Sequence, residues 1–179
     1  MHPVELVNWN DCMEWLPRAG LILPSEAQWE CAARCGTNTP WWTGEDRSLL
    51  GDAGGINIAD QAAARIGANW PGIADWPELD DGLVIHGPAG CTAPNLFGLH
   101  EMHGNVYEWC LDTYDGLYYR VCPRVNPVRT DPNIPHKAMR GGGFGSTSEL
   151  TRVSHRVKPR SATNSDNGVG FRPARHVND

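Results

Sequence analysis

The sequence predicts a single α+β domain in which two short helices pack on small antiparallel sheets, with little regular secondary structure elsewhere. Twenty glycines and 14 prolines among 179 residues imply many turns, and eight tryptophans supply large aromatic anchors for a core. Two segments carry helix start signals, and the later apolar runs are short. This length suffices to bury one substantial core, so we expect residues 1–179 to form one domain.

The first helix is expected to begin near Trp9. Asn8 offers an N-cap, and Asp11 stands at the third helical position. Pro17 lacks an amide hydrogen and clashes with the preceding turn, so this helix should end or deform around Leu16.

The second helix is expected at residues 26–34. Ser25 and Gln28 form a capping box before an apolar run, and Gly36 closes the helix. Cys31 and Cys35 lie one turn apart there, where buried free thiols are favoured over a disulfide. The six cysteines show no CxxC pair and no zinc spacing, so they do not establish the redox compartment.

Residues 37–94 lose periodicity and are rich in Gly, Asp, Pro and Trp, which predicts a loop with short extended pieces. Such a long irregular run is unusual in a compact domain, and bound cations are the usual reason that it persists. Further on we expect a buried strand, a surface insertion, a central strand that runs into three glycines, and a last strand. These are residues 106–111, 114–135, 139–144 and 169–173.

Charge and hydropathy exclude some partners. The net charge of −6 argues against a nucleic acid or an anionic membrane as partner, and we read the locally basic residues 152–176 as a solvated face. There is no apolar run of 18 residues, and the first five residues lack the pattern of a signal peptide. The compartment therefore stays open.

Residues 98–109, GLHEMHGNVYEW, combine carboxylates, turn residues and large aromatics more densely than any other stretch. Glu101 and Glu108 bracket Gly104-Asn105, and Gly-Asn favours left-handed backbone conformations that turn carbonyl oxygens toward a common centre. Oxygen ligands of this kind suit calcium better than zinc. The alternative is a tight turn whose Tyr107 and Trp109 simply enter the core.

Other chemistries find little support. His100 and His103 are three residues apart, whereas a helical HExxH zinc site needs four. No nucleophile elbow surrounds the serines near His155, and no GxxxxGK[ST] or GxGxxG lies between a strand and a helix.

Segment 98–109 resembles the signature of the formylglycine-generating enzyme (sulfatase-modifying factor) family, whose domain is a variant of the C-type lectin fold. Three other regions agree with that family in the same order along the chain. They are LPSEAQWE at 23–30, Asn57-Ile58 with Asp81-Gly82, and RGG at 140–142 followed by GFR at 170–172. The resemblance covers nearly the whole chain.

The resemblance implies two calcium sites. The first set comprises the Asn57 and Asp81 side chains with the Ile58 and Leu83 carbonyls, and the second comprises the Glu101 and Glu108 side chains with the Gly104 and Val106 carbonyls. Read without the resemblance, Asn57 favours an Asx-turn and Asp81-Gly82 a type I′ turn.

The resemblance also implies a copper-binding cysteine pair shortly after the RGG strand, used by active members to oxidise a substrate cysteine. Here Ser146 and Thr151 stand at about those positions, and no cysteine follows Cys122. Because Cu(I) requires soft thiolate ligands, we expect neither copper binding nor this oxidation.

We therefore expect a non-catalytic, calcium-stabilised domain that binds a protein or another ligand through an irregular surface. The surface residues expected to make the contacts are Phe144, Glu149, Arg152, His155, Lys158 and Arg160. The alternatives are a copper-dependent formylglycine-generating oxidase and a sensor or variable binding module of a larger protein. The family domain normally has a further segment before the part that matches here, so we also expect a longer chain or a dimer.

Overall fold

The computed structural model describes residues 1–176, which form short helices around one four-stranded sheet of order β3-β2-β1-β4. The α-helices are α1 (Trp9–Trp15), α2 (Glu26–Arg34), α3 (Arg47–Asp52) and α4 (Gln61–Arg65), and the strands are β1 (Tyr107–Thr113), β2 (His136–Arg140), β3 (Arg160–Ser161) and β4 (Val169–Phe171). The α+β class is confirmed. None of the helices in residues 1–176 has the length and apolar character needed to cross a membrane.

One strand pairing differs from the expected antiparallel pattern. Strands β1–β2 and β2–β3 are antiparallel, whereas β4 runs parallel to β1. Parallel pairing requires a long connection, and the chain between β1 and β4 is long enough to provide one.

The first two helices begin where their caps predict. Asn8 and Asp11 form a reciprocal capping box on α1, and Pro17 lies in a 3₁₀ turn that follows it. Helix α2 carries the predicted Ser25 capping box. Its last turn differs, because Cys35 rather than Gly36 is the first residue in the left-handed conformation, and the Cys31 side chain is exposed rather than buried.

Residues 37–94 contain short helices rather than the predicted extended pieces. Asp46 caps α3 through the Ser48 amide, and Asp60 caps α4 through the Ala62 amide. Both helices are too short to display a helical period, which is why the sequence pattern did not reveal them. A 3₁₀ turn, Pro71–Ala74, follows α4.

The strand predictions hold for β1 and β4, but β2 ends at Arg140, before the predicted glycine run. Gly141 and Gly142 have φ of 94° and 77°, which a continuing strand cannot accommodate. The insertion at 114–135 contains a single 3₁₀ turn, Tyr118–Arg120, and exposes Leu117 and Val121.

The sheet separates two core clusters because successive strand residues face opposite sides. On one face, Trp109, Met139 and Val169 pack with Cys12 and Leu16 from the α1 region. On the other face, buried residues of β1 and β2 pack against Trp29 of α2 together with Met102 and Val153. A third cluster under the 37–94 segment contains Trp41, Leu50, Ile56, Ile58, Trp76 and Leu79.

A buried ion network joins α2 to the sheet. The Arg140 side chain is fully buried, and its Nε lies 3.1 Å from Glu26 Oε1, while its Nη2 pairs with Glu30. Arg140 Nη1 donates to the carbonyls of Val153 and His155 at 2.7 and 2.8 Å. One guanidinium therefore connects α2, β2 and the segment that follows the glycine run.

We predict that Arg140→Met lowers the free energy of unfolding by about 3–5 kcal/mol, because it leaves the Val153 and His155 carbonyls without their donor and removes one of the two guanidinium groups beside buried Glu26. Urea denaturation monitored by tryptophan fluorescence measures this change. Arg18→Met is the matched control, since the Arg18–Glu14 pair is exposed and its loss should cost at most about 1 kcal/mol. Equal effects of the two substitutions would contradict the assigned role of Arg140.

Candidate functional site

In the first predicted calcium set, Asp81 contacts Ile58 and Leu83 through their backbone amides rather than their carbonyls. Asp81 Oδ2 accepts the Ile58 amide at 3.1 Å, and Asp81 Oδ1 accepts the Leu83 amide at 2.7 Å. Asn57 is fully buried, and its Nδ2 donates to Asn105 Oδ1 at 3.0 Å. Asn57 Oδ1 is buried and has no hydrogen-bond partner within residues 1–176. An oxygen of this kind is costly to bury unless something binds it.

Asp60 also belongs to this region, although the sequence analysis did not select it. It is fully buried, one of its oxygens caps α4, and the other accepts the Asp81 amide at 2.5 Å. Burial and the Asp60 charge raise the pKa of Asp81 to about 7. A divalent cation would stabilise two neighbouring carboxylates of this kind, one of them buried and the other partly exposed. In the sequence, the position of Asp60 three residues after Asn57 could have indicated that it belongs to this region.

In the second predicted set, Glu108 is paired with a cationic side chain, Arg172. Glu101 Oε1 accepts the amides of Gly90 and Thr92 at 3.0 and 3.1 Å. Arg172 donates to both oxygens of Glu108, from Nη2 at 2.7 Å and from Nε at 3.0 Å. Trp29 Nε1 also donates to Glu108, at 2.6 Å. The Glu108 charge is therefore already balanced by a guanidinium.

The two sets are held together by the backbone. Asn57 and Gly104 form a parallel bridge, and the Asn105 amide donates to the Asn57 carbonyl at 2.8 Å. Glu101, Gly104 and Asn105 have φ of 53°, 89° and 65°, as the Gly-Asn pattern predicts for the turn itself. In the described part of the chain, no group of three or more His, Cys, Asp or Glu side chains is placed to hold a metal ion, so any site here would depend on amide and carbonyl oxygens.

Both residues at the expected cysteine positions are buried and hydrogen-bonded. Ser146 Oγ accepts the Gly143 amide at 2.9 Å and lies 2.8 Å from the Tyr107 hydroxyl. Thr151 Oγ1 donates to the Ser148 carbonyl at 2.8 Å. These hydroxyls are engaged in internal contacts that hold the 143–151 segment.

Two cavities lie on the Tyr107 side of the sheet. One has a volume of about 220 Å³ and includes Ser146 and Phe144 in its wall. The other has a volume of about 490 Å³ and includes Met139 and Lys158. Tyr107 and Arg160 line both, so the two cavities are neighbours.

The predicted contact surface divides in the structure. Phe144, Lys158 and Arg160 line these two cavities, whereas Glu149, Arg152 and His155 line neither. Arg152 pairs with Glu149. Burial, with a smaller effect of the Arg140 and Arg152 charges, lowers the pKa of His155.

A cavity of about 590 Å³ lies beside α2, away from these residues. Its ionic side chains already have partners, because Glu30 pairs with Arg34 and Arg140, and Arg156 pairs with Glu26. We place the candidate ligand site at the two smaller cavities, because Phe144, Lys158 and Arg160 of the predicted contact surface line them and Ser146 lines one of them.

Residues 1–177 match the family model described as the sulfatase-modifying factor enzyme 1-like domain. The formylglycine-generating enzyme of Streptomyces coelicolor is 32% identical over 181 residues, covering 99% of this chain and 53% of that enzyme. The serine/threonine-protein kinase pkn1 of Chlamydia pneumoniae is 29% identical over 179 residues, covering 99% of this chain and 24% of the kinase. The solved structure of PvdO from Pseudomonas aeruginosa matches with a TM-score of 0.79 and 25% identity, covering 98% of this chain and 62% of that one.

These comparisons confirm the resemblance and the expected type of fold. The chain spans about half the length of the formylglycine-generating enzymes of Streptomyces coelicolor and Thermomonospora curvata that it matches.

We predict that Gly104→Ala destabilises the protein by more than about 4 kcal/mol, because a Cβ there would overlap the Asn57 carbonyl oxygen, which is backbone and cannot swing away. Gly98→Ala is the matched control. Gly98 also has a positive φ, 78°, but a Cβ there would meet nothing within 4 Å, so we expect a cost of about 1–2 kcal/mol. Thermal and urea unfolding measure both. A similar cost for the two would mean that the close approach to Asn57 is unimportant.

Proposed function

Because this chain belongs to the family of sulfatase-modifying factor enzyme 1-like domains, we propose that it is a non-catalytic, calcium-stabilised member that binds a ligand beside Ser146. The observation that carries the proposal is the replacement of the expected thiol pair by Ser146 and Thr151, whose hydroxyls are engaged in internal hydrogen bonds. Hydroxyl groups are poor ligands for Cu(I), which prefers thiolates.

The chain's cysteines offer no obvious substitute for that pair. Cys110 is fully buried against Trp29 and Ala138, and burial raises the pKa of its thiol well above the ordinary value. A buried thiol of this kind is inert. Cys12 and Cys35 are buried as well, and none of Cys31, Cys91 and Cys122 lines the cavity that includes Ser146.

Calcium is proposed at the first set because a buried amide oxygen there has no hydrogen-bond donor in the described part of the chain and a carboxylate there has a raised pKa. Asn57 Oδ1 lacks a partner among the described residues, and the raised pKa of Asp81 shows that its negative charge is disfavoured. A hard cation would satisfy the oxygen and stabilise the carboxylate. At the second set, calcium binding would require Arg172 to move away from Glu108. We therefore expect tighter binding at the first set than at the second.

Two alternative functions each have an observation in their favour. The oxidase alternative is favoured by the 32% identity to the Streptomyces coelicolor enzyme, which is named formylglycine-generating enzyme. The alternative of a module within a larger protein is favoured by the kinase of Chlamydia pneumoniae, because the matching region covers only 24% of that kinase. That kinase indicates that a domain of this type can be part of a longer chain.

We predict that calcium at about 100 times its dissociation constant stabilises the protein by about 2.7 kcal/mol, which raises the melting temperature by roughly 5–11 °C. Calorimetric titration of chelator-treated protein measures the binding itself. Asp81→Asn should abolish the tighter binding step. Asp80→Asn removes the same charge from the exposed neighbouring residue and should leave that step intact. Superimposable melting curves in chelator and in calcium would refute the cation sites.

We also predict that the protein does not convert the cysteine of a sulfatase-motif peptide to formylglycine when copper and oxygen are supplied. The physical reason is the absence of a thiolate pair beside the Gly141-Gly142 turn. Mass spectrometry of the peptide detects the conversion, and copper without protein is the control. Conversion above that control would favour the oxidase over the binding domain.

A further inference from the structure

The two cavities on the Tyr107 side of the sheet are neighbours, and together we call them the basic groove. Tyr107 and Arg160 belong to both parts. The smaller part also includes Phe144 and Gly168, and the larger part includes His136, Val157 and Lys158. The volume of the larger part, about 490 Å³, lies within the range of small-molecule sites.

The charge of this wall is opposite to that of the whole chain. The chain has a net charge of −6, yet no aspartate or glutamate is among the described residues that line the groove. Two carboxylates lie next to it, since Asp166 pairs with Arg160 and Glu5 accepts the Gly168 amide. The cationic side chains in it are Lys158 and Arg160, and the imidazole of His136 lies on the same wall. A concave surface lined by one sign of charge attracts ligands of the opposite sign.

Part of the groove wall is apolar. Val157 and Tyr107 are partly exposed there, and both pack against the core cluster on this face of the sheet. The Tyr107 ring is fixed at its hydroxyl end, 2.8 Å from Ser146 Oγ. Phe144 lies against Trp70 with ring centroids 5.4 Å apart, so its ring is also held in place. A ligand here would meet rigid apolar surface next to cationic groups.

Arg160 is already paired with a carboxylate of the protein itself. Its guanidinium pairs with Asp166, which lies on the turn before β4. Both side chains are partly exposed, at 40% and 43% of their side-chain surface, so an external carboxylate can reach and compete for the same guanidinium. Lys158 is exposed beside it.

From this combination we infer that the basic groove binds an organic carboxylate carried on an apolar body, with the carboxylate at Arg160 and Lys158 and the apolar body over Tyr107 and Val157. The inference rests on the proposed ligand-binding function and assigns its ligand class. The carboxylate can come from a small organic acid or from the C-terminus of a peptide. These two sources share one recognition chemistry, and the experiment separates them.

The test is an NMR titration of the ¹⁵N-labelled protein with 3-phenylpropionate and with its neutral amide, 3-phenylpropionamide. We expect shifts at amides of the groove, including Arg160 and Gly168, and binding of the acid at least about fivefold tighter than that of the amide. Added salt should weaken the binding of the acid more than the binding of the amide. Acetyl-Gly-Gly-Phe and its C-terminal amide form the peptide arm, and tighter binding of that peptide acid than of 3-phenylpropionate would identify a peptide C-terminus as the source.

Two variants change the affinity for the acid in opposite directions. Lys158→Gln should weaken the binding of 3-phenylpropionate about fivefold and leave the binding of the amide unchanged. Asp166→Asn removes the internal competitor for Arg160 and should tighten binding of the acid. Arg120→Gln, an exposed cation on the 114–135 insertion, is the matched control and should have no effect.

Specific outcomes overturn the inference. Equal affinity for acid and amide within the groove would leave ligand binding intact but refute the anionic ligand class. Binding of inorganic phosphate in the groove as tightly as the acid would refute the requirement for an apolar body. Shifts confined to residues outside the groove, or no binding of any probe, would refute both this inference and the ligand site placed beside Ser146.

Discussion

The buried guanidinium of Arg140 is the interaction on which the arrangement of helix, sheet and functional segment depends. It is paired with Glu26 and Glu30 of α2, and it binds the carbonyls of Val153 and His155. The chain from residue 141 to residue 152 is therefore held at both ends by one side chain. Since this segment carries Ser146 and Thr151, the buried ion network helps to position those hydroxyls. Such a network is costly to desolvate and requires all of its partners.

A second constraint keeps the irregular 37–105 region in place. The backbone of Asn57 pairs with that of Gly104, and the Ala59 amide donates to the Ser146 carbonyl at 3.2 Å. Gly72 packs so closely on Ser146 that a Cβ there would lie 2.7 Å from the Ser146 carbonyl oxygen. Because Gly104 and Gly72 have no side chains, their backbones lie directly against the carbonyls of Asn57 and Ser146. Hydrogen bonds between backbones replace the regular elements that this region lacks.

Local features were predictable from the sequence, and distant partnerships were not. The capping boxes of Asn8 and Ser25 involve residues three positions apart, so their geometry is encoded in a few neighbouring side chains. The left-handed turn at Gly104-Asn105 is equally local. By contrast, Arg172 and Glu108 are 64 positions apart, and the parallel pairing of β4 with β1 has a similar separation. No sequence period reports such contacts, because they depend on how the completed sheet brings its ends together.

The two predicted calcium sets show two ways of balancing buried oxygen atoms. At Glu108 the protein supplies the positive charge itself, since Arg172 bonds to both carboxylate oxygens and to the His100 carbonyl. At Asp81 the nearest named charge is another carboxylate, Asp60, and the oxygen of Asn57 has no donor in residues 1–176. A guanidinium delivers directional hydrogen bonds to a carboxylate, whereas a spherical cation accepts carbonyl, amide and carboxylate oxygens together. The first set contains amide and carboxylate oxygens, and among the described residues no guanidinium bonds to Asp81, so an external cation has more to stabilise there than at Glu108.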